Sequence, residues 1–155
     1  EEVPSFLPDR FEPGTPNIPG ILGLHAALCD LEQTDMDKLH QHELELTQYF
    51  INGLMQMDPS ESTLRAIGKH NTIERTSVVS VQTLQTDMAR VAYEMDDTYG
   101  IMTRVGLHCA PSAHKTLGTY PEGTIRFSFG PENTHHEVDL ALHALAEITG
   151  SPYHL

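Results

Sequence analysis

The stretch Thr124-Ile-Arg-Phe-Ser-Phe129 alternates apolar and polar side chains and predicts a strand that is buried on one face. The isoleucine and the two phenylalanines point to one side of this strand, so Arg126 points to the other. A helix is predicted soon after it, because Thr134 is a good N-cap, Glu137 completes a capping box, and apolar residues recur at helical spacing up to Gly150. This strand and this helix form the centre of the predicted domain.

The rest of the chain predicts short strands alternating with helices. Strands are predicted over 63–68, 77–81 and 101–105, and helices over 18–31, from Asp35 or Asp37 to before Pro59, from Thr86 or Asp87 to Tyr99, and for one turn over 112–117. Two leading helices followed by this order of elements are typical of an α+β domain. We therefore predict a small, mostly antiparallel sheet that is covered by helices on one side.

The charge balance limits the classes of partner. The chain has 22 acidic and nine basic residues and a net charge of -13, which repels nucleic acid and anionic membranes. No apolar run approaches the roughly 20 residues that cross a bilayer, and the acidic N-terminus is unlike a signal peptide. These features predict a cytoplasmic protein with no nucleic-acid or membrane partner.

The ten histidines are scattered along the chain. The closest pairs, His40/His42 and His135/His136, lack the i, i+4 spacing that brings two ligands together on one helix face, so the histidines predict no metal site. The two cysteines are expected to be free thiols. Cys29, which follows an apolar helical run, is interpreted as a packing residue.

Cys109 lies in a segment that Gly106 and Pro111 mark as a loop. Cationic side chains and His108 stand close to it in sequence, and such surroundings favour the reactive thiolate form. A buried packing thiol is the alternative interpretation. For Arg126 the alternatives are an ion pair with one of the chain's carboxylates and a ligand-binding role.

Three motifs resemble one enzyme family. Arg104-Val-Gly-Leu-His-Cys-Ala110 resembles a signature of the class V pyridoxal-phosphate (PLP) dependent aminotransferases, specifically of cysteine desulfurases with a short cysteine loop. Gly123-Thr-Ile-Arg-Phe-Ser128 and the helix start near Asn133 are similar to the segments that follow the cysteine in that family. Arg10-Phe-Glu-Pro-Gly-Thr-Pro-Asn17 resembles a loop that precedes it.

The resemblance implies a domain organisation. It identifies residues 34–150 as the small C-terminal domain of a fold-type I PLP transferase, with 151–155 as a tail. Residues 1–33 are then a loop and a helix that belong with the large PLP-binding domain. The family's Schiff-base lysine is expected upstream of Glu1, so the chain alone is expected to be inactive.

The resemblance also implies an activity and its residues. A family member would convert L-cysteine to alanine and leave a persulfide on Cys109, with Arg126, Arg104 and His108 binding the substrate. Gly14 and Thr15 match the segment that reaches the cofactor phosphate of the partner subunit, which implies a homodimer with shared active sites. A sulfur-acceptor protein is a further candidate partner.

The chain departs from the family's usual pattern beside Cys109. Leu107 occupies a position where many members carry a second histidine, and Pro111-Ser-Ala-His114 is an unusual continuation. Two alternatives therefore stay open: a selenocysteine lyase or class V aminotransferase with another amino-acid substrate, and a non-catalytic sulfur-acceptor module.

Overall fold

In the computed structural model, which describes residues 4–12 and 14–153, the alternating stretch forms an inner strand of a four-stranded sheet. The strands are β1 (Leu64–Ile67), β2 (Val78–Thr83), β3 (Arg104–Gly106) and β4 (Thr124–Ser128), and their order across the sheet is β1-β2-β4-β3. Every neighbouring pair is antiparallel. Strand β4 therefore lies between β2 and the short edge strand β3.

Five α-helices and one 3-10 turn accompany the sheet in the described part of the chain. They are the turn Asp9–Phe11, α1 (Ile18–Gln33), α2 (Met36–Met57), α3 (Met88–Tyr99), α4 (Pro111–Leu117) and α5 (His135–Thr149). The Asp87 side chain caps α3 by accepting a hydrogen bond from the Arg90 N–H at 2.8 Å. Thr134 and Glu137 form the predicted capping box of α5.

The chain divides into two compact units, Glu1–Met36 and Asp37–Leu155. Within the first unit, α1 contains no buried residue. Its large aliphatic side chains are each about half exposed or more: Ile18, Ile21, Leu22, Leu24, Leu28 and Leu31. The assignment of residues 1–33 to a separate large domain stays a prediction. No helix in the described ranges is both long and apolar enough to cross a membrane.

The core of the second unit lies between the sheet and its helices. Its fully buried large side chains include Leu46, Phe50, Ile51, Val79, Val81, Val91, Met95, Ile125, Leu142 and Leu145. The ring of Phe50 in α2 packs on Phe127 and Phe129, with centroids 4.8 and 5.3 Å away. The other face of β4 carries Arg126, as the alternation predicts. The predicted α+β fold, with an antiparallel sheet covered by helices on one side, is confirmed.

Strand β3 is shorter than predicted. It begins at Arg104 rather than at Ile101, because the end of α3 holds the preceding residues. Gly100 adopts the left-handed conformation, with φ of 67°, and the Ile101 N–H donates to the Met95 carbonyl at 2.8 Å. Ile101 therefore completes the helix cap and is unavailable to the sheet.

Gly53 of α2 lies against the Leu142 side chain of α5. A Cβ placed on Gly53 would lie 2.3 Å from Cδ1 of Leu142, a side chain with no exposed surface. A close-packed interior has no space into which that leucine could move without displacing its neighbours. Glycine at this position is thus a packing requirement.

We expect Gly53→Ala to lower the free energy of unfolding by about 1–3 kcal/mol, the usual cost of overpacking, reduced by up to about 1 kcal/mol of gained helix propensity. Urea unfolding of the full chain measures this change. Gly23→Ala is the matched control, since Gly23 is also inside a helix and a Cβ there meets nothing within 4 Å. A Gly53→Ala variant as stable as the unsubstituted chain would contradict the packing argument.

Candidate functional site

Two arginines stand side by side on the open face of the sheet. Arg104 of β3 and Arg126 of β4 are directly paired across the antiparallel ladder, so their side chains project from the same face. Ser80 of β2 is the partner of Arg126 on its other side. Arg104 is exposed and Arg126 is half-buried. Two adjacent positive charges on one surface favour an anionic ligand.

Arg126 has an unused donor. Its Nε atom is buried and makes no hydrogen bond. A buried donor without a partner is costly, and such groups are uncommon in folded proteins. A carboxylate can satisfy a guanidinium with two parallel hydrogen bonds. Arg65 and Arg75 also have a buried Nε without a hydrogen-bond partner, so this feature does not single out Arg126, and its carboxylate-binding role stays a prediction.

Cys109 lies in a tight loop between β3 and α4. His108 and Cys109 are both left-handed, with φ of 50° and 58°, and the Ala110 N–H donates to the Leu107 carbonyl at 2.8 Å. For residues other than glycine this conformation costs roughly 1–2 kcal/mol each. The Cys109 side chain is exposed. The loop thus presents the thiol to solvent, and Cys109 is not a buried packing residue.

His108 fastens this loop to the sheet. Its Nε2 atom lies 3.1 Å from the backbone carbonyl oxygen of Thr124 and 3.3 Å from the Thr124 hydroxyl. A carbonyl oxygen only accepts hydrogen bonds, so Nε2 carries the proton and donates. Thr124 is the first residue of β4 and is paired with Gly106, the last residue of β3. Both ends of this contact therefore lie next to the cysteine loop.

A second histidine, His114, is buried close to His108. His114 of α4 places its Nδ1 atom 2.6 Å from the hydroxyl of the fully buried Thr119. The rings of His114 and His108 are 5.9 Å apart. Thr119 in turn accepts a backbone hydrogen bond from Gly123 at 2.7 Å. These contacts connect α4, which follows Cys109, to the residue that precedes β4.

The electrostatic surroundings keep His108 largely neutral near pH 7. Burial lowers the pKa of His108 most strongly; the hydrogen bond to Thr124 opposes this effect, and the positive charge of Arg126, His114 and Arg104 lowers the pKa further. His108 itself therefore adds little positive charge to this loop.

Gly14 and Thr15 lie in the first unit, close to the start of α1. Gly14 has φ of 98° and open space where a Cβ would stand. A cavity of about 270 Å³ adjoins these residues and is lined by Glu12, Gly14, Thr15, Pro16, Asn17 and Ile21. Open backbone beside a hydroxyl donor suits a phosphate group, whereas the Glu12 carboxylate in the lining does not, and the cofactor-binding role of Gly14 and Thr15 stays a prediction.

The sequence identifies the cysteine and the two arginines as candidates, but not the residues that hold them in place. Thr124, Thr119 and Gly123 enter the site through contacts that the fold creates. Thr124 is 16 residues from His108, so no local spacing indicates their hydrogen bond. Only the glycines and prolines of this segment, Gly106, Pro111, Gly118, Pro121 and Gly123, mark it as a loop with a constrained backbone.

Comparison with known proteins shows that the chain is similar to members of one family. Residues 3–141 match the model of the family Aminotransferase class-V. The chain is 32% identical to a probable cysteine desulfurase of Borreliella burgdorferi over 87% of its own length and 31% of that protein. It is 35% identical to one of Pyrococcus abyssi over 93% of its length and 34% of that protein.

Solved structures show the same likeness. The apo cysteine desulfurase of Thermococcus onnurineus superposes with a TM-score of 0.79 at 33% identity, over 92% of this chain and 34% of that one. A cysteine desulfurase of Escherichia coli gives a TM-score of 0.69 at 26% identity, over 90% and 32% of the two chains. The chain thus spans about a third of the length of the proteins it matches.

We expect the NMR pH titration of the His108 ring to have its midpoint below the ordinary value of about 6.5, because burial disfavours the imidazolium. Arg126→Gln should raise the midpoint by removing a nearby positive charge, and burial should keep it below the ordinary value. Arg90→Gln is the control, since Arg90 lies on α3 and pairs with Glu94. An equal midpoint in Arg126→Gln and the unsubstituted chain would show that the arginine does not act on His108.

Proposed function

The chain belongs to the class V aminotransferase family, and on this premise we propose that it is the C-terminal part of a PLP-dependent cysteine desulfurase-like enzyme. One observation carries the proposal: Arg104 and Arg126 are paired on the open face of the sheet, and the exposed Cys109 follows three residues after β3. An anion-binding pair and an accessible thiol at one sheet edge are what sulfur transfer from an amino acid requires.

Cys109 is the proposed sulfur acceptor. Its thiolate forms a bond to the sulfur of L-cysteine while the Cβ–S bond of the substrate breaks. The electron pair of the broken bond stays with the substrate carbon skeleton, which takes up protons and leaves as alanine. Cys109 is left as a persulfide, and an external thiol or an acceptor protein then removes the outer sulfur and restores the thiol.

Arg126 is the proposed clamp for the substrate α-carboxylate. A guanidinium can donate two parallel hydrogen bonds to one carboxylate, and Arg126 is half-buried on the same face as Arg104. Arg104, paired with it, adds a second positive charge on the same face. Fixing the carboxylate at two points would hold the substrate sulfur at a defined distance from Cys109, and such positioning is a large part of enzymatic rate enhancement.

His108 has a proposed positioning role besides its predicted contact with the substrate. The hydrogen bond to Thr124 supports this role, because it holds the residue before Cys109 against β4. Because this imidazole is largely neutral, it does not contribute the positive charge beside Cys109 that the sequence predicts. The left-handed backbone at both residues needs such an anchor to persist.

Gly14 and Thr15 are proposed to contact the PLP phosphate of the partner subunit in a homodimer. The open backbone and the free space at Gly14 support this assignment. Bound PLP would supply the electron-withdrawing ring that stabilises negative charge on the substrate carbon. The lysine that holds PLP is expected outside this chain, so we propose that the chain alone is inactive.

The alternatives differ in what they require of Cys109. An aminotransferase acting on another amino acid needs the arginines but no thiol. A non-catalytic sulfur-acceptor module needs the thiol but neither the arginines nor the phosphate contact. The paired arginines beside an exposed thiol favour the desulfurase, which uses both.

We expect Cys109→Ser in the full-length, PLP-loaded protein to abolish the release of alanine and sulfide from L-cysteine. The reason is that serine offers no sulfur nucleophile. Arg90→Gln, on the outer face of α3, is the control and should keep full activity. Peptide mass spectrometry should find the persulfide on Cys109 of the unsubstituted protein. Undiminished turnover of cysteine in Cys109→Ser would exclude the persulfide mechanism.

Arg126→Lys tests the carboxylate clamp separately. Lysine keeps the charge but loses the planar fork, so we expect kcat/KM for L-cysteine to fall about tenfold or more, in line with the roughly 1.5–3 kcal/mol of a charged hydrogen bond. Arg90→Lys is the matched control. A kcat/KM in Arg126→Lys equal to that of the unsubstituted enzyme would argue against a two-pronged contact.

A further inference from the structure

Helix α1 carries two metal-ligating side chains on one side. His25 and Cys29 are four residues apart, and the Cys29 Sγ atom lies 3.8 Å from Nδ1 and 3.9 Å from Nε2 of the His25 ring. Residues at this spacing are neighbours on a helix surface. The histidine is exposed and the cysteine is partly buried. The His25 ring is therefore accessible to solvent, and the Cys29 thiol lies beside it.

The separation of the two side chains matches tetrahedral coordination. Zinc binds cysteine sulfur at about 2.3 Å and histidine nitrogen at about 2.0–2.1 Å, and with a tetrahedral angle these bond lengths place sulfur and nitrogen about 3.6 Å apart. The observed separation of 3.8 Å is close to this value. The sulfur is nearly equidistant from the two ring nitrogens, so a rotation of the exposed ring is needed to direct one lone pair at the ion.

The chemistry of the pair selects the class of ion. Thiolate and imidazole together suit zinc and similar borderline-soft divalent ions, whereas magnesium and calcium prefer oxygen. Within the described ranges, the structure contains no group of three or more side chains that could hold a metal. The other coordination positions are thus left to water or to an exogenous ligand. The net charge of -13 raises the concentration of divalent cations near the protein.

We propose that His25 and Cys29 form a two-residue chelate for zinc-type divalent ions, with water or an exogenous ligand completing the coordination. Binding deprotonates the Cys29 thiol and releases that proton to solvent. The histidine spacing alone predicts no metal site, because it leaves the Cys29 thiol out. The proposal is independent of the desulfurase proposal, which uses neither residue.

Cobalt(II) titration of the reduced, metal-free 155-residue chain tests this chelate. Bonding of cobalt to a thiolate gives a sulfur-to-metal charge-transfer absorption in the near ultraviolet. The chain has only two cysteines, so two serine variants assign the band. We expect it in the unsubstituted chain and in Cys109→Ser, its absence in Cys29→Ser, and its bleaching when zinc displaces cobalt.

His25→Gln tests the second ligand. Loss of this imidazole should weaken cobalt binding by at least the roughly tenfold that the loss of an outer-shell partner costs a metal site. His143→Gln, an exposed histidine on α5, is the matched control and should leave the affinity unchanged. Far-UV circular dichroism confirms that each variant keeps its helices.

Three results would overturn the proposal. The first is a titration of the unsubstituted chain without a charge-transfer band. The second is a band that persists in Cys29→Ser and disappears in Cys109→Ser, which would assign the metal to the other cysteine. The third is an unchanged affinity for cobalt in His25→Gln, which would show that His25 is not a ligand.

Discussion

The contact between Gly123 and Gly106 is the constraint on which the site depends. A Cβ on Gly123 would lie 2.2 Å from the carbonyl oxygen of Gly106, and the positive φ of 83° independently favours glycine there. The Gln82 side chain holds the Gly123 carbonyl from β2 at 3.2 Å. This close approach fixes where β3 meets β4. It thereby fixes the pairing of the two arginines and the point from which the cysteine loop departs.

The elements that the sequence predicted well are those whose signals are local. The alternation in β4 determines which face Arg126 occupies, and the capping box at Thr134 marks the start of α5, because both depend on neighbours a few residues apart. The start of β3 was predicted less well, because Ile101 completes the cap of α3 and its apolar character alone suggested a strand. The hydrogen bond from His108 to Thr124 joins residues that are 16 apart in sequence, so it can be identified only in the folded structure.

The candidate site shows the same division between local and distant information. Cys109 and Arg126 could be singled out from their motifs, but their relation to Arg104 is a matter of strand register. Cys29 shows the reverse case. Its apolar sequence neighbours predict a packing residue; in the described structure the thiol is partly buried beside His25, on a helix that contains no buried residue, so the prediction requires a further element that covers this face of α1. Hydrophobic neighbours in sequence indicate burial only when another element covers that face of the helix.

The paired charges of Arg104 and Arg126 also determine how a zwitterion would approach the site. A free amino acid carries a negative carboxylate and a positive ammonium group only a few bonds apart. Two guanidinium groups on adjacent strands attract the first and repel the second, so under the proposed function the carboxylate end of the substrate would approach the sheet first. A simple amine would be repelled by the same field and a simple carboxylate attracted. The charge would thus select which end of the substrate approaches, and the planar guanidinium of Arg126 would then select its geometry.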